Sequence, residues 1–135
     1  AGIEIDPALV PLAIDEFPAL FVAAACADGR TVLRGAEELR VKESDRIEVM
    51  ATGLRQLGIS VETFEDGIAI EGASALGGAT IDSHGDHRIA MAFAVASLRA
   101  ESEIIVQQCQ NVATSFPGFV ALAAEVGLNI EEIAD

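Results

Sequence analysis

Two segments along the chain share one pattern of apolar and polar positions. Asp15 opens "DEFPALFVAAACADG" and Asp86 opens "DHRIAMAFAVASLRA", each an aspartate followed by a long apolar run. Pro18 sits in the first turn of the first run, where a helix tolerates it. Both aspartates suit the N-cap position. Neither run carries a polar face, so both helices are expected to be buried on all sides. A short strand-like segment follows each, "RTVLRG" and "SEIIVQ", then a polar loop and a second helix.

That second helix is "SDRIEVMATGLRQLG" in the first copy and "SFPGFVALAAEVG" in the second. In the first, Ile47, Met50, Leu54 and Leu57 recur at helical spacing. Gly58 and Gly127 end the two helices in the matching phrases "LGISVE" and "VGLNIE", as C′ glycines do. The aspartates lie 71 residues apart and the glycines 69. Two copies of a β-α-β-α-β unit account for this spacing, the first spanning about 1–75 and the second about 76–135. The first copy ends in a hairpin, "SVETFEDGIAIEG", with Asp66-Gly67 as the expected turn. "AGIEID" and "GATIDS" supply the strands that feed the two copies. The second copy stops at "IEEIAD" without its hairpin partner, so the chain reads as a piece of something larger.

Composition narrows the partners. Hydrophobic residues make up 51% of 135 positions, a surplus that suits contact with another domain or subunit. The longest uncharged apolar stretch, residues 17–27, is short of the ~18–20 residues a bilayer span needs, so no membrane is expected. A formal net charge of −14 argues against nucleic acid as a partner. Cys26 and Cys109 stand alone without CxxC spacing, which signals neither zinc nor a disulfide framework. The cytoplasm is the expected compartment.

The few basic residues are concentrated. Arg34, Arg40, Lys42 and Arg46 crowd into "LRGAEELRVKESDRI", and Arg88 stands in the first turn of its apolar helix. Helix N-termini carry unsatisfied N–H groups and a partial positive charge. An arginine added at each makes a local trap for a small anion, and screening over about 8 Å lets a cleft lining override the net charge. Simpler explanations exist for most of these residues. Arg46 could pair with Glu43 or Asp45 on a solvated face, and Asp15 and Asp86 are sufficient as N-caps. Arg88 is harder to dismiss, because the next eleven positions hold only apolar residues, Ser97 and Arg99. Asp82, His84, Asp86 and His87 invite a metal reading. Gly85 breaks that segment and no second cluster completes a shell, so no metal is expected.

Four motifs, "AIDEFPALFVAAA", "LRVKESDRI", "GDHRIAMAFAVASL" and "TSFPGF", in that order, closely resemble the C-terminal part of the 5-enolpyruvylshikimate-3-phosphate synthase family. The resemblance covers essentially the whole chain. It implies an α/β (α+β) fold of the enolpyruvyl-transferase type, built of repeated β-α-β-α-β-β units, with about two of the three units of the C-terminal domain present. It also implies transfer of the enolpyruvyl group of phosphoenolpyruvate to the 5-hydroxyl of shikimate 3-phosphate, with release of phosphate and no cofactor. The family is the target of glyphosate.

By position, Asp15 resembles the carboxylate that contacts the 5-hydroxyl and accepts its proton, and Lys42 a lysine binding the same substrate. Glu43 resembles the acid that protonates the methylene carbon of phosphoenolpyruvate. Arg46 and Arg88 resemble the two arginines that grip phosphoenolpyruvate, with His87 lining the pocket. Thr114 stands where many members carry a lysine, as in the branch associated with glyphosate tolerance. Glu38 replaces a substrate-contacting asparagine. The N-terminal domain that completes the cleft lies outside the chain, so the segment is expected to be inactive alone. Two alternatives remain at this stage: a non-catalytic foldable fragment with weak anion binding, and part of the related transferase acting on UDP-N-acetylglucosamine.

Overall fold

The computed structural model describes residues 3–110, 112, 118–125, 127 and 130. Strand β1 (Ile3–Ile5) leads through short helical turns, including α1 (Val10–Ala13), into helix α2 (Phe17–Cys26) and strand β2 (Arg30–Leu33). Helix α3 (Arg46–Gln56) precedes the hairpin of β3 (Ser60–Phe64) and β4 (Gly67–Glu71). Strand β5 (Ala79–Asp82), helix α4 (His87–Ala96), strand β6 (Ile104–Gln107) and helix α5 (Phe119–Glu125) complete the described elements.

The strands form a four-stranded sheet, in the order β1-β2-β4-β3, and a two-stranded sheet of β5 and β6. Each sheet starts with a parallel pair joined across a mostly apolar helix: β1 with β2 around α2, and β5 with β6 around α4. Parallel pairing demands such a crossover, and the helix covers the sheet face that it would otherwise leave open. Strand β4 inserts antiparallel between β2 and β3, with Gly67, Ile68, Ala69 and Ile70 all buried. An α/β architecture follows.

The hairpin differs from expectation by one position. Phe64 pairs with Gly67, which leaves Glu65 and Asp66 as the loop. Neither has a positive φ, so the turn is not of the type that Asp-Gly favours. Gly67 is there for space instead: a Cβ on it would lie 1.8 Å from the carbonyl oxygen of Leu33. Asp66 folds back to accept from the Gly35 amide at 3.0 Å and from Arg34 Nε at 2.7 Å. These bonds hold its carboxyl below the usual range.

Helices α2, α3 and α4 meet over the sheets. Ile47, Met50, Leu54 and Leu57, the helical-spacing set of α3, are all buried, and Phe17, Phe21 and Phe93 fill the centre. Gly53 lets the helices close up, because a Cβ there would fall 2.3 Å from the ring of Phe93. Gly58 ends α3 with φ 89°, and Ile59 N donates back to Leu54 O, as a C′ glycine permits. The run Pro7–Cys26 is long and apolar enough by length and composition to cross a bilayer. Here it is broken into four short helical pieces, carries Asp15 and Glu16 at its middle, and seats Phe17 and Phe21 in the core.

The two apolar helices are not buried on all sides. Ala19, Leu20 and Ala23 leave one face of α2 open, and Val95 and Leu98 lie exposed at the end of α4 and just beyond. A uniformly apolar helix is fully covered only where packing partners surround it, and the described elements supply them on one side.

Candidate functional site

Three helix starts converge. Asp15 lies in the turn just before α2, Arg46 is the first residue of α3, and Asp86 is the N-cap of α4. Their side chains meet around the Arg46 guanidinium, which is only 1% exposed. Nε donates to Asp86 Oδ2 at 2.8 Å and Nη2 to Asp86 Oδ1 at 3.3 Å. Nη1 donates to Asp15 Oδ1 at 3.1 Å, and Nη2 also donates to Glu43 Oε2. One cation thus gathers three carboxylates from three elements.

Asp86 is fully buried. Its Oδ1 accepts from the Arg88 amide at 3.0 Å, which caps α4, and its Oδ2 accepts from Ser44 Oγ at 2.8 Å. Burial alone would raise the pKa of this carboxyl, but hydrogen bonds from Arg46 and Ser44 and the Arg46 charge hold it below its ordinary value. Burial would likewise lower the pKa of Arg46, and the bond and charge of Asp86, with the charge of Glu43, hold it above its ordinary value. The pair is ionised as a unit, because an uncompensated charge at this depth is strongly disfavoured.

Each expected residue but Thr114 has a definite place. Asp15, Glu43 and Arg46 come together. His87 joins them at the first position of α4, where one of its ring nitrogens, a Glu43 oxygen and an Asp86 oxygen all lie within 4.8 Å of one another. Arg88 is half-exposed, its Nη1 3.8 Å from Glu16 Oε1. Lys42 is partly buried, its Nζ 3.9 Å from Glu38 Oε1. Thr114 lies outside the described residues, as does most of "TSFPGF".

Several simpler readings are corrected. Asp15 is not an N-cap: it sits inside a helical turn, Ile14–Glu16, and its carboxylate turns to Arg46 instead. Arg46 is not on a solvated face, and Asp45 is not its partner. Asp45 caps α3 by accepting from the Glu48 amide at 3.1 Å, and it pairs with Arg40 at 2.9 Å. Arg34 and Arg40 are taken up in structure, Arg34 by Asp66 and the face of Phe64, Arg40 by Asp45, Glu48 and the carbonyls of Phe64 and Glu65. Asp82 and His84 leave the cluster, with Asp82 accepting from the His84 amide at 2.8 Å and from Gln108 Nε2 at 3.2 Å. Their positions line a groove between α3 and β5 that shares no residue with the arginine site.

The sequence shows Asp86 as a cap and as a member of the cluster with Asp82, His84 and His87, not as the partner of Arg46. The second oxygen of Asp86, and the role of Ser44, were missed. The signal was present: an aspartate that heads an apolar helix is carried into the core, and a buried carboxylate needs a cation.

The arrangement can hold a small anion. Asp15 and Glu43 are 45% and 53% exposed in their side chains, so an incoming carboxylate or phosphate can replace them on the guanidinium, with His87 alongside. The displaced carboxylates are then free for proton transfer within reach of the bound anion.

The chain matches the EPSP synthase (3-phosphoshikimate 1-carboxyvinyltransferase) family over residues 1–122. It is 66% identical over 130 residues to the 3-phosphoshikimate 1-carboxyvinyltransferase of Acidithiobacillus ferrooxidans, covering 96% of this chain and 30% of the relative. Identity to the enzyme of the same name from Halorhodospira halophila is 64% over 130 residues, 96% of this chain and 29% of that protein. A solved EPSP synthase structure from Acinetobacter baumannii superposes with a TM-score of 0.93 at 56% identity, covering 96% of this chain and 31% of that one. The chain thus spans about 30% of the length of the relatives it matches.

Proposed function

This chain belongs to the EPSP synthase family, and from that membership we propose that it is the C-terminal segment of a 3-phosphoshikimate 1-carboxyvinyltransferase. In that enzyme it forms one wall of the cleft where phosphoenolpyruvate meets shikimate 3-phosphate, in the pathway to aromatic amino acids. The segment comprises two β-α-β-α-β units, about 1–75 and 76–135. The observation that carries this proposal is the convergence of Asp15, Glu43, Arg46 and Asp86 where three helices begin. The motif "VKESDR" beside "GDHR" favours shikimate 3-phosphate over a UDP-sugar as acceptor.

Each residue then has work that the chemistry requires. The 5-hydroxyl of shikimate 3-phosphate must lose a proton as it attacks C2 of phosphoenolpyruvate, and C3 must gain one to become a methyl group. Asp15 accepts the first proton and Glu43 delivers the second. The roles reverse as the tetrahedral adduct expels phosphate and C3 loses a proton to restore the double bond. General acid–base steps of this kind contribute ~10²–10⁴-fold each. Arg46 and Arg88 hold the phosphoenolpyruvate anion through charge-assisted bonds, with His87 lining the pocket and Lys42 on the acceptor substrate, and Thr114 is assigned to the same anion by its sequence position alone. With about 30% of its relatives' length, the chain offers one side of this cleft. Half a cleft does not exclude water, so turnover needs the remainder.

Phosphate release from phosphoenolpyruvate and shikimate 3-phosphate tests this directly. The chain alone is expected to be silent, and the chain supplied with a folded polypeptide corresponding to the rest of the relatives' length is expected to turn over. Silence in both, with the two pieces folded and associated, would make the segment a non-catalytic fragment.

A further inference from the structure

We propose that Asp86 is a positioning residue: its buried carboxylate grips one edge of the Arg46 guanidinium and fixes the opposite edge toward the cleft. The proposal rests on the assignment of Arg46 to phosphoenolpyruvate made above.

An arginine presents two edges that can each make a pair of parallel bonds, one from Nε and a neighbouring Nη, the other from the two Nη atoms. Asp86 takes the first edge, with Oδ2 2.8 Å from Nε and Oδ1 3.3 Å from Nη2. The second edge, Nη1 and Nη2, faces Asp15 and Glu43. The two edges differ in their surroundings. Asp86 is 0% exposed and cannot be replaced from solution, whereas Asp15 and Glu43 are about half-exposed and can. A planar anion therefore binds end-on, displacing the exposed carboxylates while the buried one keeps the guanidinium plane fixed.

Helix capping does not explain Asp86. A cap needs one acceptor, which Ser, Thr or Asn supplies equally well. Asp86 uses Oδ1 for the Arg88 amide and has a second oxygen committed to Arg46 and Ser44. Ser44, half-buried beside Arg46 in sequence, holds that second oxygen at 2.8 Å. The carboxylate is thus located from α4 and from the turn before α3 together, and ties the two helix starts at the one point where the anion is received.

The decisive substitution is Asp86→Ser, which retains a capping oxygen and removes the two-bond grip. It would be made in the full-length polypeptide and compared with Arg46→Lys and with the double variant. Asp86→Ser is expected to raise KM for phosphoenolpyruvate by about 10–100-fold, the worth of a charged hydrogen bond, while KM for shikimate 3-phosphate stays within about twofold. In the Arg46→Lys background the same change is expected to add less than about threefold, since residues acting as a unit are non-additive. Unchanged KM for phosphoenolpyruvate, or losses that multiply in the double variant, would reduce Asp86 to a cap. Should Asp86→Ser not fold, Ser44→Ala decides: a rise of about threefold or more supports the grip, and no change overturns it. If the unaltered polypeptide releases no phosphate, the assignment of substrate fails while the grip remains testable. The Arg46 side-chain N–H signals in a ¹⁵N NMR spectrum are then expected to show hindered rotation about the guanidinium bonds, and free rotation would overturn the proposal.

Discussion

At the scale of single residues, the difference between a cap and a clamp is decided by the second oxygen. The pattern of apolar runs alone gives Asp15 and Asp86 the same capping role, because each precedes such a run. The structure separates them: Asp86 caps and clamps, and Asp15 only reaches Arg46. No pattern in the chain could show that residues 31 and 40 apart share one guanidinium, since side-chain meeting points are set by packing. Arg88 gives the cleanest test of the substrate assignment, being half-exposed and outside the buried pair. Arg88→Ala in the full-length polypeptide is expected to raise KM for phosphoenolpyruvate by about 10–100-fold and to spare shikimate 3-phosphate. Equal losses for both substrates would count against it. Asp15→Ala is expected to leave folding intact and lower kcat by ~10²–10⁴-fold, measured as phosphate release at saturating substrates.

The same residues set an acid limit. The folded Asp86 carboxyl titrates below its ordinary value, so its contribution to stability is fully present above the unfolded value near ~3.9 and is lost as pH falls through the lower folded value. Urea unfolding between pH 5 and pH 2 (roughly the span of carboxylate titration) is expected to show a steep acid limb that flattens in Asp86→Ser. An equally steep limb in the variant would assign the acid sensitivity elsewhere.

At the scale of elements, periodicity was a sufficient guide to what forms and an insufficient one to what touches. The i, i+3, i+7 apolar set of α3 and the strands after each apolar helix fell where the pattern put them. The hairpin turn and the open faces of α2 and α4 did not, because both depend on neighbours in space: the Leu33 carbonyl against Gly67 in one case, packing partners present on one side alone among the described elements in the other. Gly53 shows the same dependence and carries a prediction. Alanine is favoured over glycine in a helix by about 0.8–1 kcal/mol, so Gly53→Ala in α3 would be stabilising on propensity alone. A Cβ at this position meets the buried Phe93 ring at 2.3 Å, and overpacking of this kind costs about 1–3 kcal/mol. Packing is expected to win, with a net loss of about 1 kcal/mol or more in urea unfolding, recovered in part by Phe93→Leu. A gain in stability for Gly53→Ala would mean that the ring can step aside.

At the scale of the whole molecule, the exposed apolar rows matter most. Ala19, Leu20 and Ala23 recur on one side of α2, and Val95 and Leu98, with partly buried Met91, recur at helical spacing from α4 onward. Leu20 is 44% exposed, Val95 45% and Leu98 64%. The chain spans about 30% of its relatives' length, and the relatives' remaining length could supply a cover for such rows. If the remainder of the polypeptide covers them, a charge placed there must act differently in the two contexts. In the isolated chain, Leu20→Lys replaces a half-exposed apolar side chain with one that can extend into water, and the change in stability is expected to be within about 0.5 kcal/mol. In the full-length polypeptide the same lysine would be driven into an apolar contact, at a cost of about 1–3 kcal/mol, the worth of burying a leucine. Paired urea titrations of the two forms, with and without the substitution, measure the contrast. Equal effects in both would mean that α2 faces solvent in the complete protein too, and that the open side of this segment is a surface in its own right.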